Sequence, residues 1–307
     1  MSPIKGITLK LFSVVLFITM VSLIKATSQT VPVGEAVFFR SFFAIPFILG
    51  WVIARGELRT ALKVKSKLGH FWRGFVGSLA MGLSFAGLGL LPLPEVTAIG
   101  YAAPLLTVIF AAMFLDEKVG VFRITTVALG LLGVLIVISP RLSVLGREAI
   151  ETTQALGVVL VLMGAVCAAL AQIYIRKLVQ VEQTAAIVFY FSVTSASLSL
   201  LTIPFGWVMP TPTECLLLVS AGVLGGAGQI FLTSAYRFAD ASVVAPFDYA
   251  SMIFALVIGF FIFGEVPTGT MLLGALIVVL AGCIIIWRER QLGLNRGRAR
   301  ALKTPQG

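Results

Sequence analysis

Apolar runs of about twenty residues follow one another from end to end of this chain, and no other feature limits its fold so tightly. A helix needs roughly 20 residues to cross a bilayer core about 30 Å thick. Backbone polar groups in lipid must be satisfied within the segment, so runs of this length mean helices. Barrel strands are about half as long and alternate in character. The 307 residues are expected to hold ten spans, at about 4–26, 34–54, 71–90, 95–115, 121–139, 155–175, 184–205, 214–234, 242–263 and 269–287. Only 12% of the residues are charged, about half the share in an ordinary soluble protein. The longest polar stretches are 55–73, 140–154 and the tail after Trp287. They leave no room for a soluble catalytic domain.

The net charge of +10 is sorted by side. With the N-terminus in the cytoplasm, all but four of the 23 Lys and Arg collect there, including Lys5, Lys10, Arg73, Arg176 and Lys177. Arg141 and Arg147 fall in outer loops, and Lys25 and Arg40 lie within or beside spans. This distribution predicts a multi-pass membrane protein with both termini cytoplasmic. The basic tail WRERQLGLNRGRARALK is then a topology signal or a headgroup contact, not a nucleic-acid arm. Cys167, Cys215 and Cys283 belong to separate spans and show no metal or redox spacing. His70 opens the third span and reads as an interfacial residue. Residues 1–30 have the outline of a signal peptide, but the span is expected to be retained, because the repeat described next needs all ten.

A shift of 148 residues brings the two halves into register. PEVTAIGYAAPLLTVIFAAMFLDE (94–117) falls on SVVAPFDYASMIFALVIGFFIFGE (242–265), with Tyr101 on Tyr249 and Glu117 on Glu265. Upstream, Gly74 falls on Gly222 and Ser78 on Gly226. Five spans per copy is an odd number, so the second copy is inverted in the membrane. The expected architecture is all-α: a five-helix repeat over 1–140, its inverted mate over 154–288, and a basic tail at 289–307. Inverted repeats place a substrate site at their interface near mid-membrane and permit alternating access. Small residues four apart, Gly74, Ser78, Gly82 and Ala86, and the group Gly222, Gly225, Gly226 and Gly228, predict close helix contacts.

Ionisable residues inside spans are costly and mark functional sites by default. Asp248 is about seven residues into the ninth span, roughly 10 Å deep from the cytoplasmic side, and Arg40 is about 9 Å from the outer side. Direct pairing of the two would need tilt or a broken helix. Asp248 is either a cavity-facing group for substrate or a coupling proton, or a carboxylate serving a broken helix beside Pro246. Its repeat mate is Gly100, which favours a role in the site. Arg40 either locks the bundle through backbone carbonyls or meets substrate. Tyr101, Tyr249, Gln172, Gln229 and Tyr236 are further candidates for binding, or for bonding between helices. Lys25 reads as a snorkelling anchor. Glu117 and Glu265 read as charges favouring the helix N-termini that follow them. Pro104 and Pro246 mark bends. No nucleotide-binding, zinc-protease or nucleophile-elbow motif is present, so neither an enzyme nor an ATP-driven pump is expected, and no cofactor or metal.

The ten spans, FFRSFFAIPFIL in the second and YAAPLLTVIFAAMFLDEKV around the fourth together resemble the EamA branch of the drug/metabolite transporter superfamily. The resemblance covers nearly the whole chain. It implies a secondary transporter of a small organic metabolite, with Arg40 and Glu117 at positions that recur in the family. The first-span glutamate that couples protons in the four-span multidrug relatives has no counterpart here, which leaves Asp248 as the carrier if protons are coupled. Among members, the chain looks most like the riboflavin importers, and the paired tyrosines suit a flat aromatic ligand by stacking. An exporter of amino acids or related metabolites, an importer of S-adenosylmethionine and a non-transporting scaffold are the other readings. Lipid and a small-molecule substrate are the expected partners, and a homodimer is compatible with all of these.

Overall fold

The computed structural model describes residues 3–114, 121–142, 149–238 and 245–302. Within them the chain is helical and has no strand. The helices are α1 (Pro3–Thr27), α2 (Val33–Phe42), α3 (Ala44–Ala54), α4 (Leu58–Ala61), α5 (Lys67–Leu90), α6 (Leu93–Gly100), α7 (Ala102–Phe114), α8 (Val121–Leu142), α9 (Ala149–Leu178), α10 (Thr184–Leu200), α11 (Pro212–Phe238), α12 (Ala250–Phe263) and α13 (Gly269–Leu302). Six segments are long and apolar enough to cross a membrane, and four shorter apolar helices accompany them. The protein is a multi-pass membrane protein. α13 continues into the basic tail as far as Leu302.

Three of the expected spans are broken, and in two of them a proline at the same spacing breaks the helix. α2 stops at Phe42, Phe43 stands between, and α3 has Pro46 as its third residue. α6 stops at Gly100, Tyr101 stands between, and α7 has Pro104 as its third residue. A proline has no N–H for the carbonyl four residues back, and its ring presses on that carbonyl. The carbonyls in question are those of Phe42 and Gly100. Each chain relaxes by one residue, with Phe43 at φ −75°, ψ −12° and Tyr101 at φ −68°, ψ −5°. The third break takes another form: Ala245–Tyr249 is a 3₁₀ turn that leads into α12 through Tyr249, at φ −68°, ψ −16°.

The most extensive packing joins α1 to α11, α5 to α9 and α8 to α13, with α2 on α10 and α6 on α12. Several of these crossings need glycine. A Cβ on Gly222 of α11 would lie 2.6 Å from the Cβ of Phe43, and Gly133 of α8 and Gly274 of α13 face each other's carbonyl oxygens. Close approach at such points gains dispersion contacts where lipid offers no hydrophobic drive.

Candidate functional site

The broken segments α6–α7 and Ala245–α12 meet each other. The rings of Tyr101 and Tyr249 pack edge to face with centroids 4.9 Å apart. The Tyr101 hydroxyl lies 2.8 Å from Ser251 Oγ and donates toward the backbone carbonyls of Tyr249 (3.3 Å) and Asp248 (3.4 Å). Ser251 donates to the Asp248 carbonyl at 2.7 Å. The two hydroxyls thus tie the junction of the 3₁₀ turn and α12 to Tyr101. Both tyrosines are buried. The edge of one ring meets a face of the other.

The Asp248 carboxylate leaves this cluster and accepts from Lys10 of α1, Nζ to Oδ1 2.7 Å. The Lys10 side chain is only 3% exposed, whereas that of Asp248 is 35% exposed. The pair is therefore asymmetric: a sealed ammonium faces a carboxylate that solvent or a ligand reaches. The sequence places Lys10 among the charges of the cytoplasmic side, and the structure adds that it is buried and paired. It sits inside α1 at the depth of Asp248, and that shared depth was the signal available beforehand.

At the membrane face opposite the N-terminus, Lys25 does not snorkel to water. Its ammonium pairs with Glu265 at 2.8 Å and donates to the Leu91 carbonyl at 2.8 Å. The other Glu265 oxygen accepts from the Leu93 N–H at 2.8 Å. Glu265 therefore serves the start of α6, not the helix that follows it in sequence. Two more carboxylates span the halves in the same manner. Glu35 at the start of α2 accepts from the Val208 N–H, just ahead of α11. Glu182, just ahead of α10, accepts from the N–H groups of Lys65 and Ser66 at the start of α5. His70 is buried, 3.7 Å from Glu182 and against the Tyr190 ring.

Arg40 lies apart from Asp248. Its guanidinium carbon is 5.3 Å from the centroid of Phe191 on α10, and that of Arg73 on α5 is 3.9 Å from the same ring. Both arginines are buried. Gln172 on α9 and Gln229 on α11 are half-buried. Tyr236 is on α11, but its side chain is outside the described residues, as is the whole of Glu117. The structure therefore unites Asp248, Tyr101 and Tyr249, adds Lys10 and Ser251 to them, and pairs Arg40 with Arg73. The three cysteines are free.

The model of the EamA-like transporter family matches residues 4–139 and again 155–288. An S-adenosylmethionine uptake transporter of Rickettsia prowazekii is 28% identical over 257 residues, 84% of each chain. A pseudopaline exporter of Pseudomonas aeruginosa is 30% identical over 290 residues, 93% of this chain and 97% of that one. A riboflavin transporter of Vibrio cholerae is 29% identical over 259 residues, 83% of this chain and 84% of its own. A crystal structure with 20% identity superposes with a TM-score of 0.68, over 94% of this chain and 98% of that one.

Proposed function

The chain belongs to the EamA-like transporter family, and from that premise we propose that it is a secondary transporter of a small organic metabolite in the bacterial inner membrane. In this reading ten spans form two inverted five-helix halves that rock about a shared site, and both termini are cytoplasmic. The packing supports a two-fold relation. Exchanging first with sixth and third with eighth spans turns the α1–α11 contact into the α5–α9 contact. The α8–α13, α2–α10 and α6–α12 contacts map onto themselves. The Glu35 and Glu182 bonds exchange in the same way, and the breaks at Tyr101 and Tyr249 fall on repeat mates.

The observation that carries the site is the Lys10–Asp248 pair beside those two breaks. Discontinuous helices at mid-membrane are where carriers of this design bind substrate and coupling ions. Asp248 is the exposed member of the pair, so it receives the proton or the cationic group of the substrate. Lys10 is then released from its partner, and α1 is freed to move against the 3₁₀ turn. Tyr101, Tyr249 and Ser251 hold that turn. Gln172, Gln229 and Tyr236 are assigned to the cavity walls.

The substrate readings are those of the relatives: uptake of S-adenosylmethionine, uptake of riboflavin, or export of a metabolite. The test is flux of labelled S-adenosylmethionine and labelled riboflavin into proteoliposomes, with and without an imposed pH gradient, for the wild type and Asp248→Asn. Saturable uptake that the variant loses supports the reading. Wild-type flux and pH dependence in Asp248→Asn remove Asp248 from the mechanism. No flux of any labelled metabolite in either direction favours a membrane scaffold.

A further inference from the structure

Arg40 and Arg73 are both buried, and among the described residues neither forms an ion pair. Their Nε and Nη1 atoms are fully covered and have no hydrogen-bond partner in the protein. A guanidinium in this state is strongly unfavourable, and contact with an aromatic face offsets only part of the penalty. The two share the Phe191 ring, so the sum of 5.3 and 3.9 Å caps the separation of their guanidinium carbons. Like charges this close oppose each other. Arg40 has some relief, because it lies in the last turn of α2, where the helix end is partly negative. Arg73 lies early in α5, toward the positive end.

The surroundings are shaped to these groups. A Cβ on Gly77 would strike Nη1 of Arg73 and lie 3.0 Å from the Phe191 ring. A Cβ on Gly225 would lie 2.9 Å from Nε of Arg40. Ser41 of α2 and Ser192 and Ser195 of α10 are buried with hydroxyls that have no partner in the protein. Ser195 is one turn beyond Phe191 on the same helix face. The repeat does not require the charge: at the offset of 148 residues Arg73 falls on Ala221, which is buried and apolar.

We propose that Arg40 and Arg73 form an internal oxyanion site that takes a carboxylate of the transported metabolite. The guanidinium fork matches a carboxylate in two parallel bonds, and the neighbouring serine hydroxyls supply further donors. The site lies where α2, α5, α10 and α11 meet, away from Asp248. A substrate with a carboxylate at one end and a cationic group at the other would engage both. S-adenosylmethionine has that pattern, and riboflavin has no carboxylate. Naming the substrate class in this way rests on the transport reading, whereas anion binding itself does not.

The experiment uses the full chain, purified in detergent. The thermal midpoint is followed with sodium acetate and with sodium chloride at equal ionic strength, for the wild type, Arg73→Met and Gly77→Ala. The expected result is a midpoint several degrees higher in acetate than in chloride for the wild type. Arg73→Met should lose that difference while its midpoint without acetate rises, because one of two opposed buried charges is gone. Gly77→Ala keeps both charges but displaces the fork, and should weaken half-saturation by acetate about tenfold or more, the order of a lost charge-assisted bond. Equal effects of chloride and acetate assign the site to an inorganic counter-ion and overturn the carboxylate proposal. So does an acetate effect that survives Arg73→Met. If Arg73→Met does not fold, the wild-type comparison and Gly77→Ala decide. Absence of flux beside a specific acetate effect defeats the transport reading alone, and riboflavin flux unchanged in Arg73→Met defeats this proposal alone.

Discussion

Removing the carboxylate at position 248 should harm the protein more than removing the ammonium it pairs with. At 2.7 Å and an effective dielectric of 20, the gross attraction is about 6 kcal/mol. Desolvation of the two ions offsets much of it, and the offset falls mainly on Lys10, the sealed partner. In Asp248→Asn that ammonium stays buried with an amide oxygen in place of a charge. The loss should be about 3 kcal/mol, the low end for breaking a buried pair from one side. In Lys10→Met the remaining carboxylate is one-third exposed and draws hydration, so the loss should be about 1 kcal/mol. For a chain of this size each kcal/mol moves the thermal midpoint by about 2 °C. Thermal unfolding in detergent should therefore show a fall of about 6 °C for Asp248→Asn and about 2 °C for Lys10→Met. The double variant should stay near the milder single, with a coupling of about 2–3 kcal/mol. Equal losses, the reverse order or simple additivity would refute the asymmetry. The double variant also separates fold from function: it should be stable and yet lack pH-dependent flux.

Gly282→Ala places a Cβ onto the Tyr249 hydroxyl and should destabilise by about 1–3 kcal/mol. Because that Cβ would also run into Cζ and Cε2 of the ring, adding Tyr249→Phe should leave most of the loss in place, and a full rescue would mean that the hydroxyl alone is the obstacle. Glu265→Ala removes the acceptor for both the Lys25 ammonium and the Leu93 N–H and should lower the midpoint by about 2–3 kcal/mol equivalent; a neutral result would mean that water replaces it without loss. Tyr101→Phe gives up the bond to Ser251 at about 1 kcal/mol of stability. Its flux should fall by more than that loss of folded protein explains, which radiotracer uptake normalised to folded protein will measure.

The helical membrane class was legible because the length and apolarity of a span are set by the bilayer rather than by partners. The break at Tyr101 was legible in part: Pro104 announces a bend, but the fault lies at the carbonyl four residues earlier. The matching break at Phe43 went unread, although Pro46 stands at the same spacing. Lys10 shows the main limit. A lysine near a span end satisfies the charge-sorting rule whether it faces water or a carboxylate, and only the partner's position decides. Arg73 was passed over for the same reason, as one of a run of basic residues. Glu265 shows another limit, since a carboxylate that follows a helix and precedes a turn gives no sign of which distant N–H it will meet.

The exchange of partners between the halves also governs the order in which the chain is assembled. α1 is made first, yet its largest contact is with α11, roughly two hundred residues later, and α5 waits for α9. Long-range pairing of this kind delays productive packing. While the first half is threaded into the membrane, its small-residue faces and the Lys10 ammonium have no second half to meet. The half ending at α8 is therefore not a folding unit. Synthesised alone it should be cleared by membrane proteases, and synthesised beside the half beginning at α9 it should be rescued.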